Sequence, residues 1–127
     1  MIRRYFTRVR RKFQELSWLI TSESVAVEWV SEDMGIIRGE VIFLEGTRLD
    51  FRELVTEQTI DYRFQYMDRN NVLITRWDTA PHHREIRTFP YHLQPSQGVS
   101  ESEKMNVVKV LDLVAIMVVN NLSSIEE

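Results

Sequence analysis

The chain has 127 residues, of which 43% are hydrophobic and 28% charged, and its formal net charge is −3. This length and composition exclude a disordered chain and predict a single domain over residues 1–127. The absence of cysteine excludes disulfides, thiolate nucleophiles and cysteine-ligated zinc. No signal-peptide pattern is present, and no uninterrupted apolar run reaches the roughly 18–20 residues that cross a bilayer. We therefore expect a cytoplasmic protein with no membrane partner.

The first segment is a predicted amphipathic helix with a basic face. Apolar residues recur at alternating four- and three-residue spacing from Ile2 to Ile20, which produces one apolar stripe on a helix. Such a basic face is more often simply solvated. On an otherwise acidic chain it can also bind RNA through the phosphates, so RNA is a candidate partner. The basic residues on the opposite side are Arg4, Arg8, Arg11 and Lys12.

The middle of the chain predicts an antiparallel β-meander. Segments of alternating apolar residues are separated by short turns at 33–35, 45–47 and 70–71, which favours strands paired with their neighbours in sequence. The Asn70-Asn71 turn predicts a hairpin between residues 60–68 and 72–78. Within that hairpin, Tyr62, Phe64 and Tyr66 share one face, and a stripe of this kind is more often core than a base-stacking surface.

Three prolines make residues 79–100 irregular, with a short edge strand expected near Phe89. Ser100 and Glu103 then match a capping box, which predicts a helix from about Glu101 to Asn121. The fold class is therefore α+β. It is an antiparallel β-meander of about five to six strands flanked by an N-terminal and a C-terminal helix.

The C-terminal helix is more apolar than one contact surface requires. Its apolar residues cover about 200° of the helical wheel, whereas packing on one sheet needs little more than about 100°. Val110, Leu113 and Met117 then lack an obvious partner within the chain, which predicts a homodimer through this helix. The alternative is that both terminal helices pack together on one sheet face and absorb the whole apolar arc.

The densest polar cluster runs from Arg76 to His83, and all three histidines of the chain are close to it: His82, His83 and His92. A strand that ends in a polar loop is a common position for a site. Histidine transfers protons near neutral pH, and Arg76 can hold a phosphate or a developing anion. These groups would suffice for metal-independent cleavage of RNA, in which the 2′-hydroxyl is the nucleophile.

Two other interpretations stay open at this point. Asp78, a histidine of the His82-His83 pair and His92 can ligate a divalent metal, although adjacent histidines rarely converge on one ion, so we expect no cofactor. Alternatively, Arg76 and Asp78 form an ion pair on one strand face and the histidines belong to a structural loop. The protein would then be a non-catalytic protein-interaction domain.

Three segments resemble the TumE-like toxin family over residues 24–96: GIIRGEVIFLEGTRLDFRELV (35–55), IDYRFQYMDRNNVLITRWDTAPHH (60–83) and TFPYH (88–92). The resemblance implies a toxin of a two-gene toxin–antitoxin module, with a helix-turn-helix antitoxin as partner. Family members often read Phe-Pro-His-His-Lys-His, where this chain has Phe89-Pro90-Tyr91-His92-Leu93-Gln94. Tyr91 is then a candidate hydrogen-bond donor in place of a lost histidine. The predicted catalytic set is His82, His83, His92, Asp78, Arg76 and Tyr91.

Overall fold

The protein is an antiparallel sheet with both helices packed on one of its faces. A computed structural model describes residues 2–79, 92–95, 100–101 and 103–126, with the backbone alone at 92–95, 100–101 and 125–126. The strands are ordered β1 to β7 across a single sheet, and every neighbouring pair is antiparallel. The predicted α+β meander with two terminal helices is confirmed, with five long strands followed by two short ones. The elements are α1 (Ile2–Glu15), a 3-10 turn (Ser17–Leu19), β1 (Ile20–Ser31), β2 (Met34–Phe43), β3 (Arg48–Thr56), β4 (Ile60–Met67), β5 (Leu73–Asp78), β6 (His92–Pro95), β7 (Ser100–Glu101) and α2 (Val107–Glu126).

The predicted hairpin is formed by β4 and β5. Asn71 adopts a φ of 63°, which asparagine tolerates better than most residues. The Asp68 carboxylate accepts hydrogen bonds from the backbone N–H groups of Asn70 and Val72 at 2.8 and 3.0 Å. This side chain therefore holds the turn, and the pairing of Phe64 with Trp77 follows from it.

The core lies between the sheet and the helix layer. The apolar stripe of α1 is buried, and its Phe13 ring stacks on Phe51 of β3 with ring centroids 6.2 Å apart. The aromatic stripe of β4 also faces the helices, so its prediction as core is confirmed. The buried residues of the helices are Ile2, Phe6, Val9, Phe13, Val107, Val110, Leu111, Val114 and Val118.

The start of α2 was predicted wrongly. The helix begins at Val107, and Ser100 and Glu101 form β7, so the expected capping box does not form. The cap comes instead from β3, where the Glu53 carboxylate accepts a hydrogen bond of 2.7 Å from the Val107 N–H. Asn106, directly before the helix, adds a local cap, because its side-chain oxygen accepts a hydrogen bond of 2.9 Å from the Lys109 N–H.

The apolar arc of α2 is partly absorbed within the chain. Val110 is fully buried and the half-buried Met117 packs against the core, contrary to the expectation that both lack a partner. The two helices touch, with Lys12 Nζ 2.8 Å from Asp112 Oδ1, as the alternative packing expects. Leu113, Ile116 and Val119 nevertheless remain exposed, so the arc is not fully covered.

By length and composition, α2 is also apolar enough to cross a membrane. Its Val107–Ser124 window has a mean hydropathy of 1.6, and 28% of that window is buried. The sequence prediction missed the window because Lys109 and Asp112 interrupt the apolar run. One such helix is weak support for a membrane span, because helices in the cores of soluble proteins often have the same composition.

Candidate functional site

The sheet has a second face that neither helix covers, and we call it the open face. Side chains alternate along a strand, so the residues between the buried positions of β2 to β5 share this face. It is strongly polar. Its charged and amide residues are Arg38 and Glu40 on β2, Arg48, Asp50 and Arg52 on β3, Asp61, Arg63 and Gln65 on β4, and Arg76 and Asp78 on β5.

Three arginines form a straight line across the open face, and we call them the arginine row. Arg38 lies directly opposite Arg52, and Arg52 lies directly opposite Arg63. All three side chains are exposed. Arg63 Nε lies 3.9 Å from Asp78 Oδ2, and this is the one ion pair of the row among the residues that the structure describes. Like charges placed directly opposite each other on a sheet are destabilising.

A groove of about 490 Å³ follows the arginine row. Small residues of β1, Ser24 and Ala26, line one end. Glu40 and Asp50 line one side and lie directly opposite each other. Burial raises the pKa of the Asp50 carboxyl, Arg48 opposes this shift with its Nε 3.2 Å away, and the charge of Glu40 adds to it.

The predicted placement of Arg76 and Asp78 on one strand face is confirmed. Trp77 between them is buried in the core, so both flanking residues belong to the open face. The Arg76 guanidinium approaches Gln65 Oε1 at 3.5 Å, and its buried Nε has no hydrogen-bond partner among the described residues. The Asp78 carboxylate is nearly buried beside Arg63. Arg76 therefore has donor capacity left for a ligand.

Backbone register brings one histidine to this end of the row. His92 of β6 pairs directly with Asp78, and on its other side with Glu101 of β7. Arg76, Asp78 and His92 therefore lie on two neighbouring strands. His82, His83 and Tyr91 fall outside the described residues, so their participation stays a prediction. No group of three or more possible metal-ligating side chains occurs in the parts of the chain that the structure describes.

The basic face of α1 is a separate surface. The residues Arg4, Arg8 and Arg11 are exposed on a helix that covers the opposite side of the sheet from the arginine row. Lys12 is held by two carboxylates, Asp112 at 2.8 Å and Glu15 at 3.0 Å. An RNA contact through α1 stays a prediction, and it would not involve the open face.

A buried carboxylate on the covered face was not predicted. Glu53 is fully buried, and the Tyr5 hydroxyl donates to both of its oxygens at 2.7 Å while the Val107 N–H donates to Oε2. Burial raises the pKa of the Glu53 carboxyl to about 7, although its two hydrogen bonds oppose the shift. Glu53 thus joins α1, β3 and α2. Solvent does not reach it, so its role is structural.

The comparisons with known proteins give one result. Residues 7–121 match the family model described as Toxin TumE. The match extends beyond the 24–96 segment of the sequence resemblance and includes most of both helices. Neither the curated proteins nor the solved structures contain a match to the chain.

Proposed function

The chain belongs to the TumE toxin family, and from that premise we propose that it acts on RNA as a metal-independent ribonuclease. Membership makes it a toxin component of a toxin–antitoxin module, with an antitoxin as its partner. The observation that carries the proposed reaction is the register of β5 and β6. It sets Arg76, Asp78 and His92 beside one another at the end of the arginine row.

The proposed reaction uses the RNA's own 2′-hydroxyl. Its oxygen attacks the adjacent phosphorus, the bond from phosphorus to the 5′-oxygen breaks, and the products are a 2′,3′-cyclic phosphate and a 5′-hydroxyl. One histidine of the set His82, His83 and His92 takes the proton of the 2′-hydroxyl, and a second protonates the leaving 5′-oxygen. Electrons and protons balance without an added cofactor.

The remaining residues of the predicted set have supporting roles in this proposal. Arg76 stabilises the charge that builds on the non-bridging phosphoryl oxygens, since its Nε has no described partner. Asp78 orients His92, its direct partner in register. Tyr91 donates a hydrogen bond to the phosphate.

The first experiment is cleavage of labelled total RNA by the purified protein, with and without a chelator. We expect cleavage in both conditions and products that end in 2′,3′-cyclic phosphate and 5′-hydroxyl groups. His82→Ala and His92→Ala should each abolish cleavage and growth inhibition, whereas Glu57→Ala in the exposed β3–β4 connection should change neither. Intact RNA in every condition would reject the ribonuclease and favour the alternative, a non-catalytic protein-interaction domain. Full toxicity of both histidine variants would reject these residues.

We also propose that the antitoxin is a helix-turn-helix protein encoded beside this chain, and that the complex forms in the cytoplasm. Co-expression of the neighbouring gene product, affinity purification and cell fractionation test both points. A neighbour without DNA-binding sequence patterns would contradict the first point, and recovery of the toxin in the membrane fraction would contradict the second.

The exposed residues of α2 support a further part of the proposal, a homodimer. Leu113, Ile116 and Val119 are 43%, 58% and 38% exposed, and a second copy of the same helix can cover them across a twofold axis. Sedimentation equilibrium should give twice the 15.2 kDa chain mass. Ile116→Glu should give a monomer, while Val72→Glu, equally exposed in a turn, should not. A monomeric wild-type protein would reject the dimer.

A further inference from the structure

We propose that the arginine row binds the sugar–phosphate backbone of single-stranded RNA, which lies across β2, β3 and β4 and leads towards Asp78 and His92. This inference rests on the proposed function, because it names the form of RNA that the same site accepts. It concerns residues that the predicted catalytic set does not contain: Arg38, Arg52 and Arg63.

The positive charge of the arginine row is largely uncompensated within the described residues. Each arginine lies directly opposite the next, an arrangement that costs stability in the protein alone. Among the described residues, Arg38 and Arg52 have no ion pair, and Arg63 has only the long contact of 3.9 Å with Asp78. An anion with charges repeated along a line removes this repulsion at every position at once.

The arginine row has a spacing and a direction that suit a single nucleic-acid strand. Neighbouring strands lie about 4.8 Å apart, so the backbone positions of the three arginines span roughly 10 Å across the sheet. Arginine binds phosphate through a planar fork of donors, which suits successive phosphates of one strand. The row continues in register to Asp78 and His92. A strand held there is directed at the proposed reaction centre.

The groove along the arginine row has a shape that admits a single strand. Ser24 and Ala26 leave its β1 end open, so a chain can pass through instead of ending there. Its volume of about 490 Å³ is that of a small-ligand site, with room for one or two nucleotides of one strand. A nucleic-acid duplex is too wide to lie within a groove of this volume.

The lining also indicates how the strand is recognised. The one aromatic residue that lines the groove, among those described, is Phe51, and its ring belongs to the core. Base stacking is therefore not available there, and recognition falls to the phosphates, which carry no sequence information. Glu40 and Asp50 on the flank repel phosphate and confine it to the row. Arg48 offsets part of the Asp50 charge.

The test measures binding separately from cleavage. A fluorescent single-stranded oligodeoxynucleotide lacks the 2′-hydroxyl and cannot react, so it serves as the probe for the full-length wild-type protein. Anisotropy titrations over a range of salt concentrations compare the triple variant Arg38→Gln, Arg52→Gln, Arg63→Gln with a control. The matched control is Arg4→Gln, Arg8→Gln, Arg11→Gln, which removes the same charge from α1.

The expected result is specific to the open face. The loss of three contacts should make the negative slope of log affinity against log salt shallower by about 2. It should also weaken binding about 50-fold at 0.15 M salt. The α1 variant should lose much less affinity than the open-face variant, so the titration separates the contributions of the two basic surfaces. The single variant Arg52→Gln should weaken binding about 4-fold, and it decides the outcome if circular dichroism shows that the triple variant is unfolded.

Several results would overturn the inference. They are no binding of single-stranded probe by the wild type, unchanged binding by the open-face variant, a loss confined to the α1 variant, or tighter binding of a duplex than of the single strand. The proposed ribonuclease is judged separately, by cleavage of labelled total RNA. Cleavage with unchanged binding by the open-face variant rejects only the row, and binding that depends on the row without cleavage rejects only the ribonuclease.

Discussion

The two faces of the sheet differ in how completely their polar side chains are paired. On the covered face, Glu53 accepts three hydrogen-bond contacts and the buried Tyr66 hydroxyl donates to Thr47 Oγ1 at 2.9 Å. On the open face, arginines lie opposite arginines and the Arg76 Nε has no described partner. The covered face pairs its buried polar groups, whereas the open face keeps exposed like charges side by side with few partners among the described residues.

The largest expected effect is the loss of the buried carboxylate. Glu53→Ala at pH 5 should lower the free energy of unfolding by about 4 kcal/mol, because it leaves the Tyr5 hydroxyl and the Val107 N–H without an acceptor and opens a cavity. Urea denaturation measures it, with the exposed Glu57→Ala as control. A Glu53→Ala protein as stable as the wild type would show that the covered face does not depend on this residue.

The same carboxylate predicts how stability changes with pH. The folded pKa of Glu53, about 7, is above its ordinary value of 4.5, so the native state holds a proton more tightly than the unfolded state. Its contribution is therefore complete below about pH 4.5 and is lost as the pH rises through 7, a decrease of about 3 kcal/mol.

Glu53→Gln should remove this dependence, because its amide does not titrate but can still accept hydrogen bonds. The measurement is denaturant unfolding of both proteins between pH 5 and 8. Parallel curves for the variant and the wild type would exclude Glu53 as the titrating group.

A smaller effect is expected from a single hydroxyl on the covered face. Tyr66→Phe should lower the free energy of unfolding by about 1 kcal/mol. Thr47 keeps its hydrogen bond to Glu45, so no buried donor is orphaned. Thermal unfolding measures the change. A loss as large as that of Glu53→Ala would show that the Tyr66 hydroxyl supports more than this one contact.

The smallest effect should have the opposite sign. Arg52→Gln removes the central charge of the arginine row and should raise the free energy of unfolding by about 0.5 kcal/mol in the absence of nucleic acid. The gain should shrink as salt screens the repulsion. Differential scanning calorimetry at low and high salt measures it. A destabilised variant would mean that Arg52 is satisfied within the protein, and the contrast between the faces would fail.

The sequence predicts contacts well where the determining residues are close together. Asn70-Asn71 lies midway between Arg63 and Asp78, and these two residues are indeed paired in register. The connection from β3 to β4 passes through Glu57 and Gln58 without glycine, proline or asparagine. The alignment of Arg52 with Arg63 therefore had no turn signal, and the row was missed although its alternation was visible.

The errors in α2 have a related physical cause. One of its caps, Glu53, is 54 residues from Val107 and gave no local signal. The Ser100 and Glu103 pattern was misleading, and the prediction overlooked Asn106, which accepts a hydrogen bond from the Lys109 N–H. The helical wheel correctly left Leu113 without a partner but misassigned Val110 and Met117, because a wheel does not define which direction faces the sheet. For the candidate site, strand register puts the backbones of Arg76, Asp78 and His92 on neighbouring strands. The other predicted residues, His82, His83 and Tyr91, fall outside the described residues.

The meander has a consequence for how the chain assembles. Each strand pairs with the one made just before it, so the sheet can grow during synthesis with little entropy spent on closing long loops. The exception is the Glu53 junction, which requires both ends of the chain. Its carboxylate can cap α2 only after that helix has been made, which is later than all seven described strands. A product truncated before α2 would therefore leave Glu53 without the Val107 N–H and part of the core uncovered. It would be exposed to proteolysis.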